Sequence, residues 1–284
     1  MQQQITPCLW FDAQAQEAAN FYCSQFANAK IVSQSPIVTE IEVSGQRMIL
    51  LEGGPKYKPN PSISFFYLSE DAGEIDRIWE AMINDGGQVL MALDKYPWSE
   101  KYGWINDKYG ISWQLSVGKM SDVGQKITPS LLFVGEQYGR AEEAIEQYSS
   151  IFKDVKLDGI MRYGDNEQPD QAGKVKHAQV AFNGNKFMFM DSAHAHKFQF
   201  SEGVSFTIYC DTQEEIDYYW DRLTENGSES MCGWLKDKFG VSWQIVPSII
   251  GKLMTDPAKA GKAAKAFMEM RKFDIEKLVQ ATLA

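Results

Sequence analysis

Cysteine is scarce in this chain. Four occur in 284 residues, Cys8, Cys23, Cys210 and Cys232, and none forms a CxxC pair. That excludes a disulfide framework and a cysteine-built zinc site, and it predicts reduced thiols of the cytoplasmic kind. Histidine is scarcer still, at three. No run of about 18 apolar residues occurs, so no transmembrane helix is expected. The first residues, MQQQITPCLWFD, lack the basic start and apolar core of a signal peptide. A cytoplasmic location with no membrane partner is the resulting expectation. Positive charge is also in deficit, with 28 Lys and Arg against 38 Asp and Glu and a net charge of −10. An acidic chain repels phosphate backbones, which disfavours nucleic acid as a partner. Hydrophobic residues at 44% and charged residues at 23% suit a globular protein, and the length suits about two domains.

What the chain has in abundance is itself, written twice. Residues 102–115 read YGWINDKYGISWQL and residues 232–245 read CGWLKDKFGVSWQI. ITPCLWF (5–11) returns as ITPSLLF (127–133), and NFYCSQF (20–26) as EQYSSIF (146–152). VSGQRMILLEG (43–53) returns as FNGNKFMFMDS (182–192), and ISFFYLSEDAGEIDRIW (63–79) as VSFTIYCDTQEEIDYYW (204–220). The order is preserved and the period far exceeds the 20–50 residues of stacked repeats, so a whole domain is duplicated.

Each copy opens with a short apolar strand. An amphipathic helix follows, with Ala18, Phe21 and Tyr22, or Ala141, Ala144, Ile145 and Tyr148, on one stripe. Next come hairpins turning at SGQ and NGN, then a strand, ISFFYL or VSFTIYC. A second helix carries Ile75, Ile78, Trp79 and Met82, or Ile216, Tyr219, Trp220 and Leu223, and stops at NDGG or ENGS. A last hairpin holds the doubled motif.

This pattern of βαβββ units, with ITPCLWFDAQAQEAANFY, KVKHAQVAFNGNKFMFMDS, FQFSEGVSF, TQEEIDYYWDRL and CGWLKDKFGVSWQIVPS, resembles the vicinal oxygen chelate superfamily. That superfamily contains glyoxalase I, the fosfomycin and bleomycin resistance proteins and the extradiol dioxygenases. More narrowly the chain resembles the PhnB-like subfamily, often labelled demethylubiquinone-methyltransferase-like. The resemblance implies an α+β fold of tandem glyoxalase-like domains. Each would be two βαβββ units forming an open, cup-shaped mixed sheet with helices outside. The expected domains are 1–119 and 127–250, with a linker over 120–126 and a helical tail over 251–284. Single-copy relatives dimerise, so the tandem chain looks like an internal pseudo-dimer, with a homodimer also open. The methyltransferase label has no support in the residues, because no glycine-rich loop follows a strand to cradle adenosylmethionine.

Strand alternation assigns side chains to the cups. The C-terminal cup is predicted to hold Thr128, Ser130, His177, Gln179, Phe187, Phe189, Asp191, Ser205, Thr207 and Gln244 as ligand-binding residues. Its N-terminal twin would offer Thr6, Cys8, Trp10, Glu52, Ser64, Phe66 and Gln114, with Val38 where the other copy has His177. His177 and Asp191 are the catalytic candidates, expected to share one cavity. Metal-dependent relatives carry ligands at places matching Thr6 or Thr128, Ser64 or Ser205, and Gln114 or Gln244. Amide and hydroxyl oxygens are weak, uncharged donors, so neither a metal nor another cofactor is expected.

Plainer readings stand beside these. Trp104, Trp113, Trp234 and Trp243 read first as packing residues, and Asp107, Lys108, Asp237 and Lys238 as turn residues. His194 and His196 read as solvated loop residues, and Cys232 has no adjacent base to make it a nucleophile. The longer segment in the first copy, GGQVLMALDKYPWSEKYGW, is either a lid or a dimer surface. Three functions remain open on the sequence: a binding protein for an unknown small molecule; a lyase, isomerase or hydrolase of a small oxygenated substrate; and a structural or regulatory protein whose cups are filled by its own side chains.

Overall fold

The structure, a computed structural model, describes residues 4–283. Four βαβββ units follow one another. The first is β1 (Ile5–Phe11), α1 (Ala15–Gln25), β2 (Ala29–Gln34), β3 (Val38–Val43) and β4 (Gln46–Glu52). The second is β5 (Ile63–Ser69), α2 (Ala72–Asn84), β6 (Gln88–Tyr96), β7 (Ser99–Asn106) and β8 (Ser112–Val117). A one-turn helix, α3 (Met120–Val123), occupies the linker. The third unit is β9 (Ile127–Phe133), α4 (Ala141–Ile151), β10 (Lys156–Arg162), β11 (Val175–Phe182) and β12 (Asn185–Asp191). The fourth is β13 (Val204–Cys210), α5 (Gln213–Thr224), β14 (Ser228–Glu229), β15 (Trp234–Lys236) and β16 (Ser242–Pro247), before tail helices α6 (Ile250–Thr255), α7 (Ala260–Met268) and α8 (Ile275–Leu283).

The strands fall into two mixed eight-stranded sheets, each of two βαβββ units, but the paired units come from different sequence copies. One sheet holds β5–β12, and β1–β4 and β13–β16 belong to the other. By compactness the chain divides into Pro7–Val204 and into Ser205–Ala284 with Met1–Thr6. These units do not coincide with the sequence copies.

Within Pro7–Val204 the complete sheet runs β10-β11-β12-β9-β5-β8-β7-β6. The join between copies is the antiparallel pair β5 and β9, with Ser64 opposite Ser130 and Phe66 opposite Thr128. On one face, α4 packs on β11 and β12, and α2 on β5 and β8. The core on this side is aromatic. Tyr148 meets Phe189 at 6.0 Å between ring centroids, and Trp113 meets Tyr22 at 5.3 Å and Phe26 at 4.7 Å. The hairpins at Ser44-Gly45 and Asn183-Gly184 turn through consecutive positive φ angles (49° and 85°; 49° and 77°), the left-handed pair such a tight turn requires. Asp71 caps α2 by accepting from the Gly73 N–H at 2.8 Å. Helices α1 and α4 have no side-chain cap of their own, so acids from distant strand ends serve them. Glu52 accepts from the Ala15 N–H at 2.6 Å, and Asp191 from those of Gly139 and Ala141 at 2.8 and 3.2 Å.

The longer segment of the first copy forms the β6–β7 hairpin, where Tyr96 and Trp98 stack at 5.0 Å and both meet Tyr102 edge-on at 5.7 Å. In Ser205–Ala284 the strands run β14-β15-β16-β13. Here the tail supplies what the shortened hairpin lacks: Cys232 and Gly233 donate their N–H groups to Met270 and Arg271 carbonyls at 2.7 and 2.8 Å. Phe273 packs so close to Gly233 that a Cβ there would lie 2.5 Å from its ring. The predicted helical tail is thus three helices, with Leu253, Ala263 and Leu278 as its own small core.

Candidate functional site

The doubled motif builds a turn, not a reaction centre. Asp107 is buried and accepts four hydrogen bonds. Oδ1 takes the backbone N–H groups of Tyr109 and Ile111, each at 2.9 Å, and Oδ2 takes the Tyr22 hydroxyl at 2.6 Å and the Trp113 indole at 2.9 Å. Asp237 repeats the pattern with Phe239, Val241 and Trp243 at 2.9, 3.0 and 2.9 Å. Burial pushes the Asp107 carboxyl up to about 6 against the pull of these donors. Trp113 and Trp243 are buried packing residues, as expected. Trp104 differs. It lies opposite Gln114 on the face away from the helices and donates to the Ser112 hydroxyl at 2.7 Å.

That inner face of the β5–β12 sheet carries a buried polar line. The Tyr102 hydroxyl donates to Gln114 Oε1 at 2.7 Å, and Gln114 Nε2 donates to Ser64 Oγ at 2.7 Å. Ser64 faces Ser130, and Ser130 faces Met188. Burial raises the Tyr102 hydroxyl well above its ordinary pKa, so it stays protonated and can only donate to the amide oxygen. Phe66, Leu132, Met188 and Met190 supply apolar surface on the same face by register. Gln179 lies opposite Met188. His177 lies opposite Met161 of the edge strand β10. Burial holds its pKa below the ordinary value, so the imidazole is neutral at pH 7.

The structure redistributes the residues expected from sequence. Ser64, Phe66 and Gln114 were assigned to one cup and Thr128 and Ser130 to the other, yet all five lie on this face, because β5 pairs with β9. His177 and Gln179 share the face. His177 stands four strand spacings from Gln114, roughly 19 Å along the sheet at the usual interstrand distance. Ser205, Thr207 and Gln244 belong to the other sheet, where Gln244 Nε2 donates to Ser205 Oγ at 2.9 Å. Thr6, Cys8, Trp10 and Glu52 also belong to that sheet. There Cys8 pairs with Ile49, and Trp10 donates its indole N–H to the Gly54 carbonyl at 2.6 Å.

Phe187, Phe189 and Asp191 are on the wrong side for a ligand. Ala178 and Val180 are their register partners, and the two rings pack in the helix-side core. KFMFMD is apolar at both parities, so polarity could not choose its inner set, and Asp191 misdirected the choice. Asp191 is committed to the α4 N-terminus and to the Val175 N–H at 3.0 Å, so it forms no pair with His177. Burial raises its pKa. Glu52 is spent in the same way on α1. Sequence reasoning missed Tyr102, Met188 and Met190. The alternation of KFMFMD puts the two methionines on one face without saying which, and the offset of two puts Tyr102 on the face of Trp104.

The inner face does not fit a metal of the superfamily type. The positions concerned carry hydroxyls and an amide whose one carbonyl oxygen is already taken by Tyr102. Among the described residues no three His, Cys, Asp or Glu side chains come together as a metal cluster. None of the four cysteines is in a disulfide, and burial raises the Cys232 thiol, which makes it a poor nucleophile. No helix among the described residues is long and apolar enough to cross a membrane.

Two mixed sheets assembled from βαβββ units, one of them with a buried network of neutral side chains on its inner face, make this a tandem protein of the glyoxalase-like fold. A glyoxalase I variant from Zea mays shares the fold at TM-score 0.54 and 11% identity, over 87% of this chain and 94% of that one. Within the class, the chain belongs to the family described as 3-demethylubiquinone-9 3-methyltransferase, which it matches twice, over residues 3–116 and 125–246. It is 35% identical to a Bacillus cereus protein titled a 3-demethylubiquinone-9 3-methyltransferase, PhnB protein, covering 41% of this chain and all of that one at TM-score 0.38. A lactoylglutathione lyase from Agrobacterium tumefaciens is 16% identical over 40% of this chain and 91% of that one, at TM-score 0.30. Comparison with curated proteins returns no match.

Proposed function

We propose that the inner face of the β5–β12 sheet binds an uncharged small molecule without a metal ion, in the cytoplasm. The observation that carries this is the buried line from Tyr102 through Gln114 to Ser64. It leaves the second Gln114 N–H and the Ser64 proton available in an apolar setting, which is how small-ligand sites fix orientation. Methyl transfer, the activity in the family's description, is outside the proposal because the sequence offers no glycine-rich loop after a strand. A catalytic version, a lyase, isomerase or hydrolase, rests on His177, whose neutral imidazole on this face is a usable base near pH 7.

Native mass spectrometry of freshly purified protein tests the reading, with elemental analysis of the same sample. A copurifying mass should be present in the wild type and in Gln244→Leu, and absent in Gln114→Leu. Retention of the mass in Gln114→Leu, or a stoichiometric metal, would overturn it.

A further inference from the structure

The Thr128 and Ser130 side chains are 0% and 1% exposed, and neither Oγ has a hydrogen-bond partner. Buried hydroxyls are normally paired, so two orphans at successive inner positions of one strand call for a physical account. They stand roughly 7 Å apart along β9. Thr128 is opposite Phe66, and Ser130 lies between Ser64 and Met188. The linker rests on those same neighbours. Val123 forms a small core with Leu68 and Met188, against which Phe66 and Met120 also pack. A valine side chain offers a hydroxyl nothing, and a methionine sulfur only a weak acceptor.

On its polar side the strap is anchored at its first residue, where the Met120 N–H donates to Glu70 Oε1 at 2.9 Å, and is weakly held beyond it. Gln179 Nε2 reaches the Asp122 and Val123 carbonyls only at 3.4 and 3.5 Å. Its ends are Gly118 and Gly124, and Gly124 sits at φ 77°, a conformation that favours glycine and suits a hinge.

We infer that Thr128 and Ser130 form a ligand subsite closed by the strap Met120–Val123, and that it takes an uncharged molecule bearing hydrogen-bond-accepting oxygens. This rests on the reading that the inner face binds a small molecule. Every free group here can donate: the Thr128, Ser130 and Ser64 hydroxyls, which also accept, and the second Gln114 N–H, which only donates. The strongest acceptor, Gln114 Oε1, is engaged by Tyr102. An anion would have to compete with Asp158, whose carboxylate already pairs with Lys186 at the same inner parity of β12. Entry of the ligand displaces the strap and gives both orphan hydroxyls a partner.

Nile red, a neutral planar dye with a carbonyl oxygen, tests this by fluorescence titration of the full chain. The double variant Met120→Ser, Val123→Ser should bind it about tenfold more tightly than wild type, the gain that releasing a nine-to-one excess of a closed form gives. Adding Thr128→Val or Ser130→Ala should weaken that binding about three- to tenfold, the loss of one hydrogen bond. A disulfide between Val123→Cys and Met188→Cys should suppress binding, and reduction of the same sample should restore it. Circular dichroism of each variant checks that the fold is intact.

Equal binding by the oxidised and reduced forms overturns the strap, and so does an unchanged affinity in the double serine variant. If Gln114→Leu still weakens binding in either case, the inner face remains a ligand site and only the strap fails. Insensitivity to Thr128→Val and Ser130→Ala overturns the hydroxyl subsite. If no form binds Nile red, the reading of the face fails together with this one.

Discussion

Asp107→Asn sets two large effects against each other. The carboxylate accepts hydrogen bonds from Tyr22, Tyr109, Ile111 and Trp113, each of which favours the ionised form. It is also 5% exposed, and burial penalises that form. Burial wins, since the pKa is pushed up to about 6 rather than down. A carboxyl with a folded pKa above its unfolded value of about 3.9 binds more protons folded than unfolded across that interval. Its stabilisation is fully present below about pH 4 and is lost as pH rises through about 6. The whole swing is on the order of 3 kcal/mol, and about 1.4 kcal/mol of it is recovered on going from pH 8 to pH 5.

Asparagine has the shape of the protonated acid, with one accepting oxygen and one donating group, and does not titrate. Its Nδ2 cannot accept from the Trp113 indole as the carboxyl's second oxygen does, which costs about 1–2 kcal/mol at every pH. The variant should therefore exceed wild type by about 1–2 kcal/mol at pH 8, and the gap should close to about zero at pH 5. Urea unfolding followed by tryptophan fluorescence at the two pH values measures the difference, and the unchanged Asp237 cancels between the two proteins. A variant less stable than wild type at pH 8 would show that the four hydrogen bonds outweigh burial. A gap that is flat with pH would refute the raised pKa.

His177 carries the opposite sign. Its pKa is lowered by burial, so wild type should lose stability relative to His177→Gln as pH falls below about 6.5. Urea titrations at pH 7.5 and 5.5 should show this, and equal losses in both proteins would exclude it. Residues 1–119 expressed alone should self-associate or unfold, because β5 loses its partner β9 and exposes a strand edge. Light scattering and circular dichroism decide the matter: a folded monomer would mean that the pairing across copies is dispensable.

The sequence alone determined the duplication, the four βαβββ units, the glycine turns and the role of the DK(Y/F)G turn. These are local: periodicity, a left-handed glycine and an aspartate within a few residues of its backbone donors suffice to specify them. It also determined the inward parity of β5, β8 and β9, where Ser64, Gln114, Thr128 and Ser130 alternate with apolar residues. Which units share a sheet is settled only by long-range pairing. The copies are so alike that the β5 edge can in principle pair with either of two nearly equivalent first strands, and alternation along a strand carries no record of its neighbour across it. That single choice moved Gln114 and Ser130 onto one face and sent Gln244 to another sheet. Asp191 was decided the same way. A carboxylate at the end of a strand reads identically in sequence whether it enters a cavity or caps a helix fifty residues upstream, and only the arrival of the α4 N-terminus at that point settles it.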